Sequence, residues 1–421
     1  MRLVGRALKS RWASLILMVS IIGPGIITAN VDNDAGGIAT YSIAGGNFGY
    51  MLLWELIPLT LALIVIQEMC ARMGAVTGKG LSDLIRENFG LRVTVWVMVG
   101  MLIGNLTTTM AEFAGVASSA EIFGVSRYIA VPVAALIVWL IVVRGNYRTV
   151  EKVFLVACSV YFAYIISGFM SHPKWPEVGH AIIHPEMTLD GTTIMMVIGV
   201  VGTTIAPWMQ FYQQSAVVDK GIRAKDYRFT VIDVVVGCLA AVVVVFFIVV
   251  TCAATIHVAG QRVDTVEAAA QALFPLAGKY CGGLFAFGLL NASLFAASIL
   301  PLTTTYLICE GMGWERGMNR SIREAPAFYT LYTAIIVLGG GLILIPKVPL
   351  LKIMYWSQVL QGILLPALLV FILILVNNER LMGTYKNNRF YNIVAVGTTI
   401  IMIILTVMLA LVTIWPGILG A

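Results

Sequence analysis

Apolar stretches of roughly twenty residues recur along nearly the whole chain, and that repetition leaves few folds open to it. A helix that crosses a bilayer needs about 20 apolar residues. Windows of that kind fall at 14–44, 48–71, 93–118, 128–145, 149–171, 191–218, 230–257, 281–309, 327–345, 349–376 and 391–416, eleven spans in all. The connections are short, so residues 1–421 read as a single integral membrane domain. Charged residues make up 11% of the chain, against roughly 25% in soluble domains. A soluble globular protein and a disordered chain are excluded. No Cys-x-x-Cys occurs among the six cysteines, so neither a zinc ribbon nor a disulfide scaffold is signalled.

Orientation follows from Lys and Arg in the loops. With the N-terminus in the cytoplasm, 21 of the 27 basic residues fall on the inner side and six on the outer. This split supports eleven spans with the N-terminus in and the C-terminus out. The basic N-terminus (Arg2, Arg6, Lys9, Arg11) leads into the first membrane helix; no small-residue cleavage site marks a removed signal peptide. The net charge of +6 reflects this topology, and no nucleic-acid partner is expected. Every Lys and Arg is expected in a loop or at a helix end.

The acids behave differently. Asp32, Asp34, Glu55, Glu68, Glu112 and Asp233 lie within or near the spans. An ionisable group at membrane depth costs about 2.5–3.5 kcal/mol on insertion scales and is a functional candidate by default. Acids without bases suggest that the missing counter-charge is a transported cation.

The first span carries Gly23-Pro24-Gly25 and then Asn30-Val31-Asp32-Asn33-Asp34-Ala35-Gly36-Gly37. Pro and Gly weaken a helix, and Asn and Asp favour caps. Unwound backbone at membrane depth is tolerated where it is buried in protein or lines a watery cavity. Freed carbonyls beside Asp34 would form a hard oxygen site, suited to Mg, Ca or Mn. The plainer alternative is a packing kink with Asp34 capping the second half-helix. The sixth span is interrupted at Thr203-Thr204-Ile205-Ala206-Pro207-Trp208, where Pro207 removes a helix hydrogen bond. Two interrupted helices in corresponding positions point to a transporter site between inverted repeats. The expected architecture is all-α: repeats at 14–171 and 191–376, plus an additional helix at 391–416.

Glu112, beside Thr107, Thr108 and Thr109, is either an ion or proton relay or an acid bonded to helix backbone. Glu55 and Glu68 are expected at an interface, and Asp233 solvated. Gln358 and Asn291 are neutral oxygen donors, with interhelical bonding as the plain account. The four histidines fall on the outer side, where solvated surface positions are expected.

Taken together these motifs resemble the Nramp family of divalent-metal transporters. The resemblance rests on Gly-Pro-Gly, the Asp34-Ala35-Gly36-Gly37 break, Thr77-Gly78-Lys79, Ala111-Glu112, the Pro207 break, Gly288-Leu289-Leu290, Glu310-Gly311 and Ser357-Gln358-Val359, and covers roughly spans 1–10. It implies an APC-superfamily-type fold and alternating access, with no resident cofactor and no enzymatic activity. The partners it implies are divalent cations and the lipid bilayer of a bacterial plasma membrane, with a monomer as the expectation.

The family's metal site reads Asp-Pro-Gly-Asn in span 1 and Met-Pro-His in span 6. In this chain Gly37 replaces the Asn, Ala206 the Met and Trp208 the His. The family's second His falls where Gln213-Gln214 stand, its span-3 Asp aligns with Thr109, and span 9 contains no Arg. Loss of a thioether removes the preference for soft metals, and a roomy site with one carboxylate suits hydrated Mg²⁺. The pattern is similar to the Nramp-related magnesium transporters, which implies uptake of Mg²⁺, and also Mn²⁺, without proton coupling. The resemblance assigns Asp34, Gly37, Ala206, Gln358 and Asn33 to the metal, Ala35, Gly36, Thr204, Pro207 and Trp208 to the lining, and Glu112 to a relay. Two alternatives stand: a proton-coupled Mn²⁺/Fe²⁺ transporter, and a cation-coupled amino-acid or organic-solute carrier. No HExxH, Ser-His or nucleotide motif supports an enzyme.

Overall fold

In the computed structural model, residues 33–144, 158–188, 190–225, 227–317 and 320–414 are described. Within them the chain is helical and contains no strand. The longer helices are α1 (Ala35–Phe48), α2 (Leu56–Thr77), α3 (Leu81–Ile122), α4 (Arg127–Val143), α5 (Phe162–Met170), α6 (Trp175–Ile183), α7 (Gly191–Thr204), α8 (Pro207–Asp219), α9 (Tyr227–Cys252), α10 (Cys281–Met312), α11 (Pro326–Ile343), α12 (Leu350–Val376) and α13 (Arg389–Ile414). Eight helical stretches among the described residues are long and apolar enough to cross a membrane, and α4 is a shorter apolar helix. Gly23-Pro24-Gly25 and Asp32 lie outside the described residues.

Local sequence sets the helix boundaries. Gly90, with φ +81°, separates the Leu81–Phe89 segment from the apolar remainder of α3, a conformation that favours glycine. Pro207 opens α8, where its fixed φ suits the first turn and its missing N–H costs nothing. Asp190 caps α7 by accepting the Thr192 and Thr193 amides, both at 2.9 Å. The core is built around α3, α10 and α12, with α1 and α7 packed against α12. Among the described residues Cys70, Cys238, Cys252, Cys281 and Cys309 form no disulfide and are buried, as small apolar residues would be.

Three expectations need correction. Arg72 sits inside α2, which runs on to Thr77, and is 7% exposed. Burial is tolerated because Glu68 pairs with it at 3.2 Å, the Tyr385 carbonyl accepts at 3.0 Å, Asn387 Oδ1 accepts at 2.5 Å, and Tyr391 covers its face. Glu68 is therefore a buried ion-pair partner, not an interfacial acid. Glu55, 5% exposed, is enclosed where the Leu53–Glu55 turn enters α2. Asp233 is 1% exposed instead of solvated, because α9 turns that face toward the other helices.

Candidate metal site

The first turn of α1 organises the site. Asp34 adopts an extended conformation as N-cap, and its Oδ1 accepts the Gly37 amide at 2.6 Å. Glu112, from α3, accepts the Ala35 amide through Oε2 at 3.2 Å. Two carboxyl groups thus converge on the N-terminus of one helix, where amides lack intrahelical partners and the dipole favours negative charge. Both acids are almost wholly buried, Asp34 at 3% and Glu112 at 0% exposure. Glu112 Oε1 has no hydrogen-bond partner among the described residues.

Gln358 of α12 forms the opposite wall. Its amide lies so close to Gly36 that a Cβ there would overlap Nε2. Only glycine permits that approach. Gln358 Nε2 makes one long bond, to Ser357 Oγ at 3.4 Å, and Oε1 has none among the described residues. Asn33 Oδ1 is also unpartnered there, while its carbonyl accepts the Tyr161 hydroxyl at 2.7 Å. Buried polar atoms are normally satisfied; three unpartnered oxygens lie around the start of α1. Carboxylate and amide oxygens form a hard donor set.

The interruption in the sixth span is present. α7 ends at Thr204, Ala206 is extended (φ −61°, ψ 134°), and α8 starts at Pro207. The Ala206 carbonyl accepts the Met209 amide at 3.1 Å and Gln210 Nε2 at 3.4 Å. Thr204 Oγ1 is within 2.8 Å of the Tyr41 hydroxyl, which ties α7 to α1. Trp208, 1% exposed, is the bulkiest fully buried side chain among the described residues. The structure therefore gathers Asn33, Asp34, Ala35, Gly36, Gly37, Glu112 and Gln358. Ala206, Pro207 and Trp208 form the head of α8. Among the described residues no three His, Cys, Asp or Glu side chains converge as a metal cluster.

A cavity of about 580 Å³ opens at the far end of α1, lined by Asn47, Thr188, Asp190, His257, Gln261 and Arg262 among others. Asp34 lies about 20 Å back along the helix, from thirteen residues at about 1.5 Å each. Asp190 is saturated there by Thr188, Thr192 and Thr193, whose hydrogen bonds hold its carboxyl far below the usual range. Sequence reasoning missed Tyr161 and Tyr41, whose hydroxyls hold the Asn33 carbonyl before α1 and Thr204 at the end of α7. A tyrosine in an apolar helix carries no mark that distinguishes a brace from core.

A family model described as natural resistance-associated macrophage protein-like matches residues 25–412. The chain belongs to the Nramp family. Members of that family are membrane transporters, and this integral membrane protein is accordingly a transporter and not an enzyme. It is 28% identical over 403 residues to the divalent metal cation transporter MntH of Aeromonas hydrophila, covering 92% of this chain and 94% of the relative. It superposes on a mutant of the Eremococcus coleocola manganese transporter with a TM-score of 0.78 at 21% identity, covering 95% of this chain and 88% of that one. MhsT in complex with L-phenylalanine matches at a TM-score of 0.57 and 15% identity, over 92% of this chain and 97% of that one. The fold is thus the one these solved transporters share.

Proposed function

We propose that this transporter carries hard divalent cations, Mg²⁺ and also Mn²⁺, into a bacterial cell by alternating access. The observation that carries the reading is the donor set: orphaned oxygens of Asn33, Glu112 and Gln358 beside the Asp34 carboxylate, with Ala206 and Trp208 where a soft ligand would stand. Asp34 supplies the charge. Gly36 and Gly37 keep the first turn of α1 open to the ion, and the Ala206 carbonyl contributes at the second break. A dication that keeps part of its water shell suits few protein ligands. An inside-negative potential supplies about 2.3 kcal/mol per charge per 100 mV, so roughly 4.6 kcal/mol for a dication, enough to drive uptake without a proton. The N-terminus lies inside and the C-terminus outside, and residues 14–171 and 191–376 form the inverted repeats.

A second reading, proton-coupled Mn²⁺ uptake, is supported by the relatives' names and by the buried Glu112 carboxyl beside Asp34. Flux into liposomes separates the two. Mg²⁺ and Mn²⁺ should enter under a membrane potential, Asp34→Ala should abolish entry, and the lumen should not acidify. Acidification that tracks metal entry selects the second reading. Entry that survives Asp34→Ala sinks both.

A further inference from the structure

The cavity at the far end of α1 shares its end of the molecule with the start of α7. The opposite end, where α8 and α10 finish and α3 begins, is fastened by an ionic cluster. Glu310, on the last turn of α10, is 2% exposed. Its Oε1 accepts Ser215 Oγ of α8 at 2.7 Å and faces Arg316 Nε at 3.5 Å. Arg316 Nη2 reaches Asp83, in the first turn of α3, at 2.5 Å. Asp219, at the end of α8, is held by the Tyr306 hydroxyl at 2.6 Å and lies within electrostatic reach of Glu310 and Arg316. Three carboxylates thus share one guanidinium, a formal charge of −2 when all are ionised.

Two features bear on what this cluster can bind. Glu310 Oε2 is buried against Gly80, three residues before Asp83, with no hydrogen-bond partner among the described residues. Its cation is also detachable. Arg72, buried within α2, is pinned by backbone carbonyls, whereas Arg316 hangs from the loop after Gly313 and is 27% exposed. With Arg316 between them, the carboxylates do not converge as metal ligands. Without it, two carboxylates, the Ser215 hydroxyl and water form an oxygen site of the kind a hard dication prefers.

We propose that this cluster is a second divalent-cation station and that Arg316 is its tethered placeholder. A hard dication leaving the Asp34 site takes the carboxylates of Glu310 and Asp83 and displaces Arg316. The Ser215–Glu310 bond, which fastens α8 to α10, is drawn into the ion's coordination, so the ion takes over the link between the helices that Arg316 and this bond supply. The station rests on the reading that this chain carries divalent cations.

The test counts Mn²⁺ bound to purified full-length protein by equilibrium dialysis with EPR detection. Wild type should bind one Mn²⁺ per chain. Arg316→Ala, and the bulk-preserving Arg316→Gln, should bind two. Asp34→Ala combined with Arg316→Gln should bind one, and adding Glu310→Gln should remove it. Millimolar Mg²⁺ should displace both ions. If neither Arg316 variant binds more Mn²⁺ than wild type, the station is overturned while the Asp34 site stands. If Asp34→Ala alone leaves the wild-type count unchanged, the central reading fails instead.

Discussion

Glu112 and Ala35 are joined by a hydrogen bond of 3.2 Å that brings a carboxyl from α3 to the unpaired N-terminus of α1. The bond separates two roles of the residue. Glu112→Gln keeps an acceptor for the Ala35 amide but cannot release a proton. If transport is uncoupled, this variant should carry Mg²⁺ within about fivefold of wild type in liposomes, since one neutral hydrogen bond is worth about 1 kcal/mol net. Glu112→Leu orphans the amide and should lower stability by about 1–3 kcal/mol, read as a lower Tm in detergent. Wild-type acidification that disappears in Glu112→Gln would assign Glu112 a proton.

Gly36 and Gln358 make the second test. A methyl at Gly36 would occupy the space of the Gln358 amide. Gly36→Ala should therefore cut Mn²⁺ affinity at least about tenfold by pushing the amide aside, an overpacking cost of about 1–3 kcal/mol. Gln358→Ala removes the obstacle together with one oxygen donor. In the double variant the two losses should not add, because the residues touch. Additive losses, measured by isothermal titration, would mean that Gly36 matters for another reason.

Asp190 gives a pH prediction. Hydrogen bonds from Thr188, Thr192 and Thr193 hold its carboxyl well below the ordinary value. A depressed folded value contributes stability above the unfolded pKa of about 3.9, and that contribution is lost as pH falls through the folded one. Thermal stability should thus be flat in this contribution from pH 5 to 8 and fall below about pH 4. Asp190→Ala should cost about 0.5–2 kcal/mol through the lost cap of α7 at neutral pH, and Asp190→Asn should retain most of it. A wild-type Tm that fell between pH 8 and 5 in parallel with loss of the Asp190→Ala difference would refute the assignment.

Much of this architecture is legible in the sequence for a physical reason. Hydrocarbon demands long apolar helices, so the windows at 281–309, 327–345 and 349–376 lie close to α10, α11 and α12. Pro207 cannot sit in a helix interior without cost, so the break at Ala206 is visible too. Asp34 caps α1, the plainer of its two expected roles, and a cap that uses one oxygen leaves the other open to the proposed ion. The acids expected to be exposed but found buried, Glu55, Glu68 and Asp233, share a cause. Position near the end of an apolar window reports depth along one helix and says nothing of what packs beside it. Arg72 is the clearest case, since its partners at 385–387 are more than three hundred residues away in sequence. The same holds for Glu310, which stands out in the sequence as part of a motif while its neighbours Ser215, Arg316 and Asp83 do not.

Ala206 offers the sharpest test of ion choice. It is 1% exposed at the junction of α7 and α8, and its small side chain leaves the break without a soft donor. Ala206→Met would place a thioether there, and thioethers select soft metals. Cd²⁺ should then compete with Mn²⁺ uptake at least about tenfold more strongly, a gain of about 1.4 kcal/mol, while Mg²⁺ flux falls because the added side chain displaces ordered water and fills space. Ala206→Leu adds comparable bulk without sulfur and should depress Mg²⁺ flux with no gain in Cd²⁺ competition. If both variants leave Cd²⁺ competition at the wild-type level, residue 206 does not face the ion, and the argument for hard-cation preference must rest on Asn33, Asp34 and Gln358 alone.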